Sequence, residues 1–302
     1  MANKAARNTG RARPAGKAVR RRSAGPTRGG VETVRMEFLT SPQVARYLKK
    51  NDLAILPVGC FEMHGPHVPL GCDTLHAHAM AVILGELWGC LVLPPIMYSY
   101  PGASGPWPGT MSPRPTATIA YVKEMCLAAI AAGFKRLVVL ATHGPMSFVM
   151  QTVIREIHQE TGQIILHIAP MNMMPKDLME KRLGYGRGED ILVLAAAKVL
   201  GLPEGLVPKM DWDSPDRCFP FASMSGLRRA ECQMPWTFSE PWQHQPVRSK
   251  VQPADGDKAV EVMREAARRN YADVPRLFSQ YQRDMAKMEK NPPWDMDKVA
   301  KM

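Results

Sequence analysis

The sequence lacks several features that would place it in a specialised class of protein. It has no run of 18 or more apolar residues, which argues against a transmembrane helix, and its first residues lack the apolar core of a secretory signal. Its six cysteines form no Cys-x-x-Cys pair, which argues against a zinc knuckle or a disulfide framework in a chain of 302 residues. We therefore expect a cytoplasmic protein with mostly reduced cysteines, and we place Cys90 and Cys126 in core elements.

Acidic residues are missing from the first 30 residues, although these carry nine of the eleven net positive charges. A segment rich in Gly, Ala, Arg and Pro cannot bury enough apolar surface to offset the entropy lost on ordering, so we expect residues 1–30 to be a disordered basic tail. A tether to an anionic partner is the alternative role for this tail. The rest of the chain is nearly balanced in charge and has no stripe of interleaved basic and aromatic residues. This argues against nucleic-acid binding as its function, apart from nonspecific contact by the tail.

What the sequence does contain is an alternation of short apolar segments and longer amphipathic ones. Strands are predicted at residues 53–58, 90–93, 136–141 and 163–168, and helices at 43–50, 74–88, 117–132, 148–161, 189–200 and 255–270. This alternation is typical of a parallel sheet covered by helices on both faces. We predict a single α/β domain over residues 31–285, followed by a tail or subunit-contact arm over residues 286–302.

Residue types that commonly bind divalent cations occur after the predicted strands and at the start of one predicted helix. Glu62, His64 and Asp73 lie in the Gly- and Pro-rich segment after the first strand, His143 follows the strand at 136–141, and Glu189 begins a helix. In parallel sheets the carboxyl ends of the strands meet at one edge, where ligands bind. Each histidine alone could equally be a partner for backbone carbonyls, but the set could hold two cations that share a carboxylate and activate water.

Three stretches of the chain resemble the creatininase family. The stretch from Leu56 to Thr74, LPVGCFEMHGPHVPLGCDT, resembles the first signature of that family. The stretch Pro108-Gly109-Thr110-Met111-Ser112 resembles its Pro-Gly-Thr-x-Ser loop, and residues 133–140 resemble its third strand, which leads to His143-Gly144. The similarity covers about residues 38–200.

The resemblance implies a three-layer α/β sandwich with a mainly parallel central sheet, often assembled as a homohexamer. It implies two divalent cations, Zn²⁺ and/or Mn²⁺, and hydrolysis of an amide-type C–N bond in a small cyclic amide, formamide or related molecule. Carried over to this chain, the implied metal ligands are Glu62, His64, Asp73, His143 and Glu189, with Asp73 bridging and with Glu62 and Asp73 also in the catalytic machinery. His67 is implied to contact one of these ligands and to orient it without binding the metal itself.

Two departures from the family pattern affect the expected substrate. Family members commonly read Asn-Gly-His-Gly-Gly-Asn where this chain reads Ala141-Thr142-His143-Gly144-Pro145-Met146, so both asparagines are absent. The later family motif holds His-Ala-Gly before the glutamate, and Gly184-Tyr185-Gly186 stands in its place. The histidine expected to shuttle a proton is therefore missing.

Three functional interpretations follow. The first is an amidohydrolase with a different substrate, in which Tyr185, Arg187, Asp190 or another group takes over proton transfer. The second is a family member repurposed for another carbonyl reaction, such as C–C, ester or ring-opening hydrolysis, and the third is a non-catalytic metal-binding scaffold. For substrate contact we name the candidates Trp107, Thr110, Ser112 and Arg187, and we add Trp212, Trp236 and Trp242 as aromatic candidates for a substrate wall.

Overall fold

The computed structural model describes residues 33–170, 173–184, 188–203, 205–216 and 218–302. The predicted tail, residues 1–30, lies outside the described residues, and so do Tyr185 and Arg187. Within the described ranges, no helix is both long and apolar enough to cross a membrane.

Four parallel strands form one sheet in the order β2-β1-β3-β4. The strands are β1 (Leu53–Val58), β2 (Leu91–Val92), β3 (Arg136–Ala141) and β4 (Leu166–Ile168). Strands β1 and β3 pair over their full length, from Leu53 opposite Arg136 to Val58 opposite Ala141, so their carboxyl ends lie side by side. The predicted α/β class is confirmed, and β1 and β3 have the predicted bounds, while β2 and β4 are shorter than predicted.

The helices are α1 (Ser41–Leu48), α2 (Cys72–Trp88), α3 (Pro115–Ala131), α4 (Met146–Thr161), α5 (Lys176–Leu183), α6 (Glu189–Leu200), α7 (Ala222–Arg229), α8 (Asp255–Tyr271), α9 (Val274–Lys290) and α10 (Met296–Val299). Short 3₁₀ turns occur at Met36–Phe38, Gly102–Ser104 and Pro241–Gln243. The predicted domain end at residue 285 lies inside α9.

The sheet is buried on both faces because alternate residues of each strand point to opposite sides. Ile55 and Leu140 belong to one hydrophobic core, together with apolar residues of α2, α6 and α8. Leu56 and Val139 belong to the second core, together with apolar residues of α3 and α4. This two-sided burial explains why the central strands are uninterrupted apolar runs.

A close approach between the end of β1 and the start of α2 fixes the geometry of the edge where the strands end. Gly59 follows β1, and a Cβ atom built on it would lie 2.3 Å from the Cα of Thr74, in the first turn of α2. Two hydrogen bonds hold the same contact: Thr74 Oγ1 donates to the Cys60 carbonyl at 3.3 Å and Ser99 Oγ to the Gly59 carbonyl at 2.7 Å. Asp73 is thereby brought beside the loop that follows β1.

Gly59→Ala is expected to destabilise the protein by about 3 kcal/mol or more, because the methyl group would overlap backbone atoms that cannot move without shifting α2. Urea unfolding followed by circular dichroism measures the change. Gly226→Ala is the matched control, since Gly226 lies within α7 and no atom lies within 4 Å of the added Cβ. An equal loss in both variants would contradict this account of the contact.

Candidate metal centre

Three separate parts of the chain bring charged side chains to the carboxyl edge of the sheet. Glu62 and His64 lie in the loop after β1, Asp73 lies in the first turn of α2, and His143 lies two residues after the end of β3. All four side chains are buried, with exposed fractions of 7% or less. The predicted convergence of these four residues is therefore present in the structure.

His143 is the centre of this group. Its Nε2 lies 2.9 Å from the carbonyl oxygen of Tyr100 and donates to it, which directs Nδ1 towards two carboxylates. Nδ1 lies 2.9 Å from Glu62 Oε1 and 3.0 Å from Asp73 Oδ2. A histidine held through one nitrogen by a backbone carbonyl presents the other nitrogen in a fixed direction, as metal-binding histidines do.

The charges of this group depend on one another. Burial alone would raise the pKa of the Asp73 carboxyl, but the His64 and His143 imidazoles hold it well below its usual range. Burial alone would lower the pKa of His143, but Asp73 and Glu62 outweigh it and raise that pKa to about 10. Without a cation, the protonated imidazole offsets the buried carboxylates, a role that a divalent cation fits equally well.

A second pair of imidazoles lies on the other side of Glu62. His64 Nδ1 lies 3.1 Å from the Glu62 carbonyl oxygen, and its Nε2 lies 3.5 Å from Asp73 Oδ1. The ring of His244 stacks on that of His64 with centroids 4.3 Å apart, and His244 Nδ1 lies 2.5 Å from the Met63 carbonyl oxygen. Burial, followed by the nearby His64, lowers the pKa of His244 to about 4, so this imidazole is neutral at pH 7, the form that binds metals.

Two overlapping sets of donor atoms result. One set comprises Cys60, Glu62, Asp73 and His143, and the other comprises Glu62, His64 and His244; within each set the donor atoms lie within 4.8 Å of one another. Burial raises the pKa of the Cys60 thiol, and its Sγ lies 3.4 Å from the Ser99 carbonyl oxygen. Because the thiolate is the metal-binding form, Cys60 is the weakest candidate of the two sets.

Unpartnered buried atoms test whether these residues fit a cation. Among the described residues, buried polar atoms without a hydrogen bond include Glu62 Oε1, His64 Nε2, Asp73 Oδ2 and Glu189 Oε2. Glu62 Oε1 and Asp73 Oδ2 share a single ionic contact, with His143 Nδ1. Buried polar groups are nearly always paired, and leaving one unpaired is costly. Four of the five predicted ligands thus each present such an atom, and their carboxylate and imidazole chemistry suits Zn²⁺ or Mn²⁺. The residues fit a divalent metal site.

Glu189 reaches the same region from a different element. It is the first residue of α6, and its backbone N–H donates to Gln245 Oε1 at 3.1 Å. Its side chain lines the same cavity as Glu62, Asp73 and His143, although among the described residues it does not join either compact set of donors. Gln245 therefore ties the start of α6 to the segment that carries His244.

Two predicted residues point away from this centre. Asp190 follows Glu189 on α6, and a helix turns by about 100° per residue, so the two side chains diverge. Asp190 Oδ1 accepts the Ile191 N–H at 2.8 Å, and Oδ2 lies 3.6 Å from His67 Nε2. His67 thus faces Asp190 and not one of the predicted ligands. Neither residue lines the cavity, and we do not carry forward a catalytic role for Asp190 or a ligand-orienting role for His67.

The predicted substrate contacts have structural partners of their own. Trp107 donates its indole N–H to the Phe238 carbonyl at 3.2 Å, and Thr110 Oγ1 accepts the Met63 N–H at 3.0 Å. Ser112 is exposed, and none of the three lines the cavity. Thr110 instead holds the loop that carries Glu62 and His64.

A cavity of about 800 Å³ opens onto the centre. The metal-site side chains lie at one end, and Tyr100, Pro145 and Phe148 contribute to its wall beside His143. Much of the remaining lining comes from the chain after α6, including Trp236, one of the predicted aromatic wall residues. Trp212 and Trp242 do not line the cavity. A cavity of this size accepts a substrate much larger than a single small ring.

His244 is the functional candidate that the sequence did not reveal. It lies in a stretch of Pro, Trp and Ser residues without periodicity, far from the family signature. His244 follows a short 3₁₀ turn, Pro241–Gln243. A single histidine in a segment without a motif does not indicate which residues lie near it in the fold.

Comparison with known proteins agrees with this site. The family model of creatininase, described as creatinine amidohydrolase, matches residues 37–197. A 3-dehydro-scyllo-inosose hydrolase of Thermotoga maritima is 36% identical over 112 residues, covering 37% of this chain and 36% of that protein. A creatinine amidohydrolase of Pseudomonas putida is 30% identical over 104 residues, covering 33% and 40%. The chain thus matches less than half the length of either relative.

Solved structures share the fold over a longer stretch. A crystal structure of creatininase superposes with a TM-score of 0.61 at 21% identity, covering 81% of this chain and 97% of that one. Another, described as the Mn form of creatininase, gives 0.59 at 22% identity with 81% and 98% covered. A mutant creatininase described as Zn-Zn type gives 0.58 at 21% identity with 82% and 98% covered.

The match to the family model extends over more than half of the chain and includes Glu62, Asp73 and His143. The parallel sheet and its superposition on creatininases agree with that match. This chain therefore belongs to the creatininase family.

Proposed function

We propose that the protein is a metal-dependent hydrolase that cleaves an amide-type C–N bond in a cyclic amide, a formamide or a related molecule. The observation that carries this proposal is the group of carboxylates and imidazoles that meet at a large cavity, with several of their buried atoms making no hydrogen bond. A structural role alone would not require buried carboxylates to face a space large enough for a substrate. Membership of the creatininase family supports the same reaction class.

Two divalent cations, Zn²⁺ or Mn²⁺, are proposed for the centre. Glu62, Asp73 and His143 would hold one, and His64 and His244, with Glu189 as a further candidate, would hold the other beside Asp73. When bound, such cations polarise a carbonyl group and make a water molecule easier to deprotonate.

Groups of the chain itself have three tasks in this scheme. Ser104 Oγ donates to Glu62 Oε2 and so fixes the orientation of that carboxylate, which leaves Oε1 facing His143. Tyr100 fixes His143 through its carbonyl group. The leaving nitrogen needs a proton. Asp190 points away and an arginine does not release its proton at neutral pH, so Tyr185 or another group is proposed to supply it.

Incubation of the metal-loaded protein with cyclic amides, formamides and cyclic ketones, followed by mass spectrometry of the products, tests the proposal. Hydrolysis of at least one amide, lost on chelation, is the expected result. The relative named 3-dehydro-scyllo-inosose hydrolase motivates the ketones. Turnover of ketones without turnover of any amide would replace the proposal with the other carbonyl chemistry, and metal binding without turnover of any compound would favour a scaffold.

His244→Ala is expected to lower the bound metal from two ions to about one per chain, because one of the two donor sets loses an imidazole. Metal analysis after dialysis measures the content, and the visible spectrum of the Co²⁺-loaded protein reports the ligand set independently of activity. His158→Ala is the control, since His158 lies on α4 near Glu289, outside both donor sets. An unchanged Co²⁺ spectrum and metal content in His244→Ala would rule out His244 as a ligand.

We also propose that the chain forms a homo-oligomer, up to a hexamer. Large apolar side chains are exposed on the C-terminal helices, with Leu277 and Tyr281 of α9 about half exposed and Met296 of α10 at 80%. Light scattering coupled to gel filtration should give a mass near six times 33.5 kDa. Deletion of residues 291–302 is expected to reduce it, whereas a monomeric full-length protein would refute the assembly.

A further inference from the structure

Aromatic rings form a continuous line along the cavity, starting at the metal centre. The ring of His244 stacks on His64 at 4.3 Å, and Phe238 stacks on His244 with centroids 4.8 Å apart and planes 14° from parallel. Trp236 meets Phe238 edge to face at 4.8 Å, and Phe219 meets Trp236 in the same way at 5.7 Å. We call His244, Phe238, Trp236 and Phe219 the aromatic wall, and all four line the cavity.

The wall runs from the interior to the surface. His64 is fully buried, His244 and Phe238 are exposed by less than 10%, and Trp236 and Phe219 are half-buried. His244, Phe238 and Trp236 each contact two neighbouring rings, and the two half-buried rings, Trp236 and Phe219, leave the most ring surface accessible. Aromatic rings arranged in this way favour planar or apolar groups that pack by offset stacking or edge to face.

The positively charged side chain of Arg228 lies at the outer end of the aromatic wall. The guanidinium carbon of Arg228 lies 4.8 Å from the centroid of the Phe219 ring, and Arg228 also lines the cavity. Among the described residues, no carboxylate lies within 4.0 Å of this guanidinium. A guanidinium held over a ring keeps its N–H groups available for a carboxylate, which it can bind in a bidentate manner.

The polarity of the cavity is thus ordered along its length. The proposed metal centre lies at the inner end, the aromatic wall lies along the middle, and the positive charge of Arg228 lies at the outer end. A small cyclic amide would occupy only the inner end of an 800 Å³ cavity and would leave the wall and Arg228 without contacts.

We infer that the substrate is an elongated amide, with an aromatic group that packs on the aromatic wall and an anionic group, such as a carboxylate, that binds Arg228 at a distance from the scissile bond. This inference deepens the proposed hydrolase function and rests on it. Peptide-like amides with an aromatic side chain and a free carboxylate belong to this class.

Three probes separate the two parts of the inference: N-acetyl-Phe-Phe, its C-terminal carboxamide, and N-acetyl-Ala-Ala. Calorimetry with the full-length, metal-loaded protein gives their dissociation constants, and mass spectrometry of the same samples shows whether any is cleaved. The first and second probes differ only in the negative charge, whereas the first and third differ in their aromatic groups.

For the unaltered protein, N-acetyl-Phe-Phe is expected to bind about fivefold more tightly than its carboxamide, as for an ion pair at the mouth of a cavity. It is expected to bind more than about tenfold more tightly than N-acetyl-Ala-Ala, since two large apolar groups are lost. Arg228→Gln should remove the preference for the carboxylate and keep the preference for aromatic groups. Trp236→Leu should reduce only the latter.

Arg229→Gln is the matched control, because Arg229 is the next residue of α7, is exposed, and does not line the cavity. Equal binding of the carboxylate and the carboxamide, or a preference that persists in Arg228→Gln, would overturn the inference. Hydrolysis of small cyclic amides without binding of the peptides would support the proposed function and refute this substrate class. Binding with the expected preferences but no hydrolysis of any amide would support the recognition site and refute the proposed function.

Discussion

Asp73→Ala is expected to abolish hydrolytic activity and to weaken metal binding by more than about 100-fold, since even residues that only support ligands contribute 10–100-fold. Asp73 is the residue whose two oxygens face both histidines, with Oδ1 3.5 Å from His64 and Oδ2 3.0 Å from His143. Its loss removes the carboxylate that lies between His64 and His143, and leaves Glu62 as the anionic partner of His143. Metal analysis and steady-state rates measure the two effects.

The controls for this variant separate a local effect from unfolding. Asp177→Ala removes an exposed aspartate from the first turn of another helix, α5, and should leave metal content and activity unchanged. Asp73→Asn keeps the size of the side chain and should also lose metal while retaining the circular dichroism of the native fold. A metal-free Asp73→Ala protein with full activity would refute the proposed mechanism.

Removal of the metal with a chelator is expected to abolish activity and to lower Tm on the order of 10 °C. A ligand present at a thousandfold excess over its Kd stabilises the folded state by about 4 kcal/mol, and in a domain of this size each kcal/mol shifts Tm by about 2–4 °C. The physical reason is that two buried carboxylates, Glu62 and Asp73, lie beside the half-buried Glu189, and a divalent cation would balance their negative charge. Scanning calorimetry before and after chelation measures the shift.

Addition of Zn²⁺ or Mn²⁺ to the stripped protein should restore both Tm and activity, and the same chelator saturated with Ca²⁺ serves as the control. If the protein, shown by metal analysis to be free of metal, kept its Tm and its activity, the carboxylates would have to be balanced by the histidines alone. In that case the centre would be a buried ion-pair network and not a metal site.

The sheet and the proximity of Glu62, His64 and His143 can be predicted from local sequence patterns. Strand β1 is an apolar run of six residues, and the pairing of β1 with β3 follows from the burial of both faces of a parallel sheet. Because strand ends meet at one edge, a glutamate and a histidine after β1 and a histidine after β3 must lie near one another. The position of Asp73 follows from Gly59, whose lack of a side chain lets α2 approach.

The positions of His244 and Glu189 in the site depend on contacts between residues distant in sequence. His244 reaches His64 across 180 positions, through a segment of loops and short turns with no hydrophobic period to predict its path. Glu189 and Asp190 both carry a carboxylate. The orientation of α6 about its own axis decides that Glu189 lines the cavity and Asp190 faces His67. Trp107 looked like a wall residue in the sequence, but its indole N–H is used to hold Phe238.

Crystallography of the zinc-loaded protein with anomalous data above and below the zinc absorption edge tests the central claim most directly. We predict an anomalous peak bounded by Glu62, Asp73 and His143, and a second one near His64 and His244. A protein that takes up zinc but shows its peaks elsewhere, with His143 still in contact with Glu62 and Asp73, would contradict the account.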